Sequence, residues 1–478
     1  MKRVTRFVSF LVILAMLLSL AACASLPLGG FAGGDERPGG GSFGGGYGEG
    51  MAPSGPSGDK GDSGAMGPSG EAGDAVPEAP GADYDDFVDM PEGGVIEDGS
   101  GSEEKPEEKP AEKPEENVTL PAGMITAGAW NDNDYYSAWL DLFDQEKGKF
   151  YNYTNPSLSW GYNSLKRVKV SVTNGENPVA GASVVATDEN GNTLFSAVSD
   201  ACGNAYLFTD AEDGNITVTS GKGIATATFD KDNRELTVNL DSCDEKRDVI
   251  EIMFVVDVTG SMGDEIYFLK AELADVVNRI SSNNVGAKIK LALLFYRDTD
   301  DKVPFDYYDF TDVTTASGLE AQQKALDDQY ASGGGDYPEA VDEALDMAVN
   351  KQWSTGATTK IIFHVLDAPA HEGEKYATKL VNATKNAAEK GIRICPILCS
   401  GAADSTEYTM REAAIYTGGT FIFVTDDSGI GGSHHDPDLP NATIELLNSL
   451  MVRLVNGYHT GDFADPIYWK QDPNLNNK

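Results

Sequence analysis

Basic residues are scarce in this chain: 36 lysines and arginines stand against 76 aspartates and glutamates in 478 residues, a formal net charge of -40. A nucleic-acid partner is not expected on that balance, because phosphate binding draws on clustered positive charge. Solubility and cation binding are favoured instead. Cysteine is equally sparse, five in all, too few for a disulfide scaffold in a chain of this length. Cys395 and Cys399 lie four apart on one expected strand, about 13 Å along it, which is beyond bridging distance. They read as buried thiols, and Cys202 and Cys243 remain as a pair that either bridges or stays free. Long apolar runs are missing after the first, residues 7–22, which itself falls short of the roughly 20 residues a spanning helix needs.

That first run follows the basic start Met1-Lys2-Arg3-Val4-Thr5-Arg6 and ends in small residues, Ala21-Ala22, just before Cys23. Charged, apolar and small parts in that order are an export signal. With cysteine next, the signal resembles that of a bacterial lipoprotein, which implies that residues 1–22 are removed and Cys23 is lipidated. The chain would then be anchored to a bacterial membrane and face away from the cytoplasm, at the cell surface or in the periplasm. Residues 23–120 are mostly glycine, serine, proline and acid, with little to bury, and are expected to form a disordered tether. Gly55, Gly58, Gly61, Gly64, Gly67, Gly70 and Gly73 fall at every third position, the collagen spacing. The run is short and poor in proline, so it reads as tether and not as a trimer.

Chemistry concentrates further on. Asp257-Val258-Thr259-Gly260-Ser261 follows the apolar run 249–256, placing a carboxylate and two hydroxyls at the end of a buried strand. In an open parallel sheet, ligands gather outside the carboxyl ends of strands. Lys360-Ile361-Ile362-Phe363-His364-Val365-Leu366-Asp367 is a second apolar strand closing on an acid, and Gly333-Gly334-Gly335-Asp336-Tyr337-Pro338-Glu339 is a glycine-rich turn opening a helix. Asp257, Thr259, Ser261, Asp336 and Asp367 thus form one constellation of oxygen donors. A hard divalent cation takes such donors and shares its shell with water. Asp, Ser and Thr also cap helices, but capping alone leaves Asp336 and Asp367 without a role.

On these residues, and on Asp-x-Thr-Gly-Ser-Met-Gly at 257–263 above all, the segment 248–460 resembles a von Willebrand factor type A domain with a metal-ion-dependent adhesion site. The resemblance implies a doubly wound, mostly parallel α/β sheet. It implies a magnesium ion, with manganese or calcium as alternatives, and one coordination place left for an acidic side chain of a protein partner. The second loop usually offers threonine, where this chain has Asp336. Bacterial members look similar at Gly333 to Glu339, at Tyr296-Arg297-Asp298 and at Asp367-Ala368-Pro369-Ala370-His371.

Two alternatives to metal-bridged binding stay open: a purely structural ion on a scaffold protein, and a metal-dependent hydrolase. No base or nucleophile is paired with the constellation, so an enzyme is not expected. His434 and His435 offer a transition-metal pair or simply an exposed loop.

Ahead of this domain, residues 165–245 alternate apolar and polar residues between turns such as Asn174-Gly175 and Glu189-Asn190-Gly191-Asn192, the punctuation of an all-β unit. Pro178-Val179-Ala180-Gly181-Ala182 and Cys202-Gly203-Asn204-Ala205 resemble small β-sandwich modules related to carboxypeptidase regulatory domains. Residues 121–164 read as an aromatic connecting segment in which Trp139, Leu140 and Phe143 share a helical face. Residues 461–478 form a tail. After Asp257 the expected order is helix 262–281, strand 288–296, helices 319–330 and 338–350, strand 360–367, helix 373–390, strand 391–400, helix 404–417 and strand 420–424.

Overall fold

The computed structural model describes residues 123–476 apart from 247, 336, 357, 430–432 and 440. The expected signal, lipidation site Cys23 and tether lie outside the described residues, as does Asp336. Among the described residues no helix is long and apolar enough to cross a membrane.

The description begins with a strand, β1 (Thr126–Trp130), and a short helix, α1 (Tyr136–Asp141). The β-sandwich follows, with β2 (Arg167–Asn174), β3 (Asn177–Pro178), β4 (Ser183–Thr187), β5 (Thr193–Val198), β6 (Asn204–Phe208), β7 (Gly214–Ser220), β8 (Gly223–Phe229) and β9 (Glu235–Asn239). One sheet runs β3-β2-β6 with β9 on the other side of β2, and the facing sheet runs β5-β4-β7-β8. β2 and β4 bury every second residue, so Val168, Val170, Val172, Val184 and Ala186 meet Leu207, Ile216 and Val218 in the core between the sheets.

The α/β unit contains β10 (Val249–Asp257), α2 (Gly263–Asn283), β11 (Lys288–Tyr296), β12 (Phe305–Asp312), α3 (Ala316–Asp327), α4 (Val341–Val349) and β13 (Thr359–Leu366). It continues with α5 (Glu374–Lys390), β14 (Ile392–Leu398), α6 (Asp404–Thr417), β15 (Phe421–Val424), β16 (Glu445–Leu446) and α7 (Leu447–Thr460). Its eight strands are ordered β12-β11-β10-β13-β14-β15-β1-β16. β11, β10, β13, β14 and β15 are mutually parallel, and β12 and β1 join antiparallel. β13 and β14 are buried at every position and β10 at every position after the first. Such continuous burial is what a parallel sheet covered on both faces imposes, and it explains why these strands read as unbroken apolar runs.

Residues 121–164 do more than connect. β1 pairs with β15, Ala127 opposite Val424, and with β16, Thr126 opposite Leu446. The main sheet therefore includes chain from before the sandwich, and the sandwich is inserted between two strands of one α/β unit. Glu272 of α2 pins the entry of β1: its buried carboxylate accepts the N–H groups of Gly123 at 2.9 Å, Met124 at 2.8 Å and Ile125 at 3.3 Å. Trp139 is buried, donates its Nε1–H to Ser164 at 2.8 Å, and packs with Phe143 and Phe150 near Tyr408 of α6. Leu140 does not share that face and is exposed, since adjacent residues of a helix point about 100° apart.

The sandwich is not loosely hung. Phe208 stacks on Tyr416 of α6 at 4.7 Å between ring centres, Phe195 meets the same ring at 5.5 Å, and Arg393 of β14 donates to the carbonyl of Val198 at 3.0 Å. Cys202 and Cys243 are exposed free thiols, and Cys395 and Cys399 are buried.

Candidate metal centre

Asp257 is the last residue of β10, the strand between β11 and β13. The chain leaves the sheet there and re-enters order at α2, and the turn in between folds onto the carboxylate. Thr259 donates to Asp257 Oδ1 from its backbone N–H at 2.9 Å and from its hydroxyl at 2.7 Å, and the Thr259 and Ser261 hydroxyls lie 3.3 Å apart. Asp257 and Thr259 are buried, whereas Ser261 is partly exposed. Asp257 Oδ2, also buried, has no hydrogen-bond partner among the described residues.

The glycine-rich turn closes over this loop. Gly260 N–H donates to Gly333 O at 3.2 Å, and Ser332 N–H donates to Val258 O at 2.9 Å. Gly334 has φ +72°, and a Cβ there would stand 2.6 Å from Glu339 Oε1 and 3.3 Å from Thr259. A side chain is excluded both by backbone conformation and by the close approach of the loops. Asp367 follows β13 directly and is buried. The structure thus brings Asp257, Thr259, Ser261 and Asp367 to one end of the sheet, and the described turn around Asp336 packs against them.

More acids gather here than sequence spacing indicates. Glu265, one turn into α2, is buried and accepts from the Ser400 hydroxyl and, at 3.3 Å, from its N–H. Asp301 accepts from Gly334 N–H at 2.9 Å, and Glu339 is buried beside the turn. Asp298 accepts from His371 Nε2 at 2.8 Å and from Thr299 N–H at 2.7 Å. Burial alone would raise its pKa, but the His371 bond and the Thr299 N–H outweigh that and leave it below the usual carboxylate range. Arg297 is spent on backbone: it donates to Ser332 O at 2.7 Å and to Tyr330 O at 3.2 Å, holding the glycine-rich turn in place. Asp298, His371 and Arg297 were visible in sequence as parts of the quoted stretches. Glu265 and Asp301 carried no spacing signal.

Burial first, and then the Asp367 carboxylate, push the Asp257 carboxyl up to about 8, against the Thr259 bonds and the charge of Arg297. Below the site, Tyr296 and His364 share a bond of 3.2 Å. Burial lowers the imidazole pKa to about 3, and burial with the nearby Asp257, Asp367 and Glu339 raises the phenol, so both are neutral. Two carboxylates and two hydroxyls make an all-oxygen donor set, the kind a hard divalent cation takes.

Residues 251–426 match the family model for the von Willebrand factor A domain. Among curated relatives, an ariadne-like RING finger protein of Acanthamoeba polyphaga mimivirus is 26% identical over 226 residues, which are 42% of this chain and 20% of that protein. Alpha-protein kinase vwkA of Dictyostelium discoideum is 23% identical over 150 residues, 31% of this chain and 23% of that one. The chain therefore spans only about a fifth of the length of the curated relatives it matches. Of solved structures, BatB of Bacteroides thetaiotaomicron has a TM-score of 0.28 at 17% identity, covering 36% of this chain and 89% of that chain. The pilus adhesin SpaC of Lactobacillus rhamnosus GG in its open conformation has a TM-score of 0.32 at 12% identity, covering 61% and 35%. The matched span begins inside β10 and ends just after β15, so it contains Asp257, Thr259, Ser261, Asp336 and Asp367.

His434 bridges Ser400, the residue that donates to Glu265. His434 Nδ1 lies 2.7 Å from Asp426. His435 joins Asp404 and Glu407, whose ligand-type atoms lie within 4.8 Å of one another. The Lys149 ammonium sits among them, 2.6 Å from Glu407, 3.3 Å from Asp404 and 3.3 Å from His435. Lys149 is thus the cation already serving this second group.

Proposed function

We propose that the A domain binds a divalent cation, magnesium first and manganese or calcium as alternatives, and recognises a protein partner through it. Asp257, Thr259, Ser261 and Asp367 would hold the ion together with Asp336 from the glycine-rich turn. The ion would supply a positive centre able to take an acidic side chain of the partner, since A domains serve protein–protein interaction and adhesion in general. The observation that carries this reading is Asp257 Oδ2, buried with no hydrogen-bond partner among the described residues, on a carboxyl whose pKa burial and Asp367 raise. A cation beside that oxygen would favour the charged carboxylate, which burial alone disfavours. Ser261, partly exposed, leaves that side of the constellation open to a partner.

Attachment through lipidated Cys23 to a bacterial membrane, facing away from the cytoplasm, is part of the same proposal. It is supported by the signal, the cysteine and the long acidic tether of the sequence. The domain then works as a binding protein and not as an enzyme. A structural ion is the competing reading, favoured by the near-complete burial of Asp257 and Thr259.

Thermal melting in EDTA, magnesium, manganese and calcium, beside Asp257→Ala, separates these readings. A metal-specific rise that the variant lacks is expected. If the variant folds but no longer captures a partner, the adhesion reading stands; if partner capture persists in EDTA, it fails.

A further inference from the structure

The opposite end of the same sheet holds a cleft of about 390 Å³ between the sandwich and the α/β unit. Lys246, Lys351, Lys360, Lys390 and Arg393 line it, against two carboxylates, Asp200 and Glu389. In a chain carrying -40, that local excess of positive charge runs against the composition. Among the described residues, none of the five cations makes an ion pair, although Lys290, Lys379 and Arg411 do.

Part of their placement is helix capping. Lys360 donates to Lys390 O at the end of α5 at 2.9 Å, Lys390 to Val349 O at the end of α4 at 3.0 Å, and Arg393 to Thr417 O at the end of α6 at 2.8 Å. Cations are favoured at such ends. One carbonyl uses one of the three donors on a lysine, so capping leaves Lys360 with unused N–H groups beside the cleft. Burial, with Arg393 and Lys390 near and against the charge of Glu251, holds the Lys360 ammonium below its usual range. Burial also lowers Lys246. Capping does not require Lys246 or Lys351: Lys351 lies over the Tyr307 ring at 3.9 Å, and neither caps a helix. Thr358, whose hydroxyl is buried with no hydrogen-bond partner among the described residues, lines the same cleft.

We infer that this cleft binds a small phosphate-bearing anion, held by Lys246, Lys351 and Lys360 with the Thr358 hydroxyl. The volume falls in the range of small-ligand sites, and several ammonium groups with a hydroxyl donor match the oxygens of a phosphate or pyrophosphate group. The site is independent of the cation constellation, which lies at the carboxyl ends of the strands.

The test is calorimetric titration of the folded, metal-free protein in EDTA with inorganic pyrophosphate, beside citrate as a carboxylate of similar charge. Saturable pyrophosphate binding is expected, weakened about tenfold or more by Lys246→Glu with Lys351→Glu and restored towards wild type by Lys246→Arg with Lys351→Arg. It should be unchanged by Asp257→Ala and by Lys222→Glu on the exposed β7–β8 turn, and weakened by salt in the wild type, a readout that needs no variant. Absence of pyrophosphate binding up to about 10 mM, binding indifferent to the charge reversals, or a preference for citrate would each overturn the proposal. Loss of the metal-dependent melting shift in Asp257→Ala bears on the cation site alone, so the two readings fail separately.

Discussion

The two ends of the main sheet carry opposite charge. At the carboxyl ends of the strands stand Asp257, Asp367, Glu265, Glu339, Asp298 and Asp301, and at the amino ends stand Lys360, Lys390, Arg393, Lys246 and Lys351. A parallel α/β architecture alone accounts for the signs. Each helix returns antiparallel to its strands, so helix N-termini face the acid end and C-termini the basic end, and each dipole end favours the opposite charge. The dipole is worth only about 0.3–1 kcal/mol per charge, whereas burying an uncompensated carboxylate costs several kcal/mol. What separates the ends is therefore satisfaction. Lys360, Lys390 and Arg393 each have a helix carbonyl, while Asp257 keeps one buried oxygen with no partner among the described residues. The acid end is where a proton or an added cation offsets the buried charge, and the basic end tolerates its excess.

A third group gives the contrast its scale. Arg411 in α6 is buried and donates to Asp132 at 2.9 Å and 2.5 Å and to Glu407 at 2.9 Å. Its two acids are as buried as Asp257 but paired. Arg411→Met should cost about 3–5 kcal/mol, because it strands the buried Asp132 carboxylate while Glu407 keeps Lys149, and denaturant unfolding would read the loss. Asp257→Ala should behave in the opposite way in EDTA, leaving stability equal or higher because it removes a carboxylate repelled by Asp367. In saturating magnesium the order reverses, since a ligand at about 100 times its Kd adds about 2.7 kcal/mol to the wild type alone. An Asp257→Ala protein less stable than wild type in EDTA would show that the carboxylate is satisfied without a cation.

Glu412 tests a buried acid at neither end. It accepts from Ser164 Oγ at 2.9 Å, and burial raises its carboxyl to about 8 from 4.5. With the folded value above the unfolded one, the folded state binds more protons between those limits. Its contribution is fully present below pH 4.5 and is lost as pH rises through about 8. Glu412→Gln should therefore match wild type in acid and melt several degrees higher, on the order of 5 °C, at pH 9. Equal melting curves at both pH values would mean that Glu412 is ionised in the fold at no cost.

Much of the α/β unit was legible because burial on both faces writes itself as apolar runs. Strand 288–296 and helix 404–417 match their expected spans, and Asp257 and Asp367 close the expected strands. β1 was illegible: Thr126-Ala127-Gly128-Ala129-Trp130 has little β-branched character, and its partner Val424 is some 300 residues away. β12 reads Phe-Asp-Tyr-Tyr-Asp-Phe-Thr-Asp, acidic and partly exposed throughout as an edge strand permits. α4 begins at Val341, later than expected, because Glu339 bridges Ala370. In the candidate site, one loop's ligand spacing was readable. The supporting acids and the five cations of the cleft come from separate turns that only the fold assembles.

The smallest effect refines the acid end. Gly334 and Gly335 are adjacent and alike in sequence, but Gly334 has φ +72° and meets Glu339 and Thr259, whereas a Cβ on Gly335 meets nothing within 4 Å. Gly334→Ala should cost about 1–2 kcal/mol, from the left-handed backbone and the displaced turn. The turn presses on Thr259, so the same change should also weaken the magnesium-dependent melting shift. Gly335→Ala should stay within about 0.5 kcal/mol of wild type and keep the shift. If both variants retain it equally, the close approach of the two loops is packing alone, and the turn carrying Asp336 has no part in holding the cation.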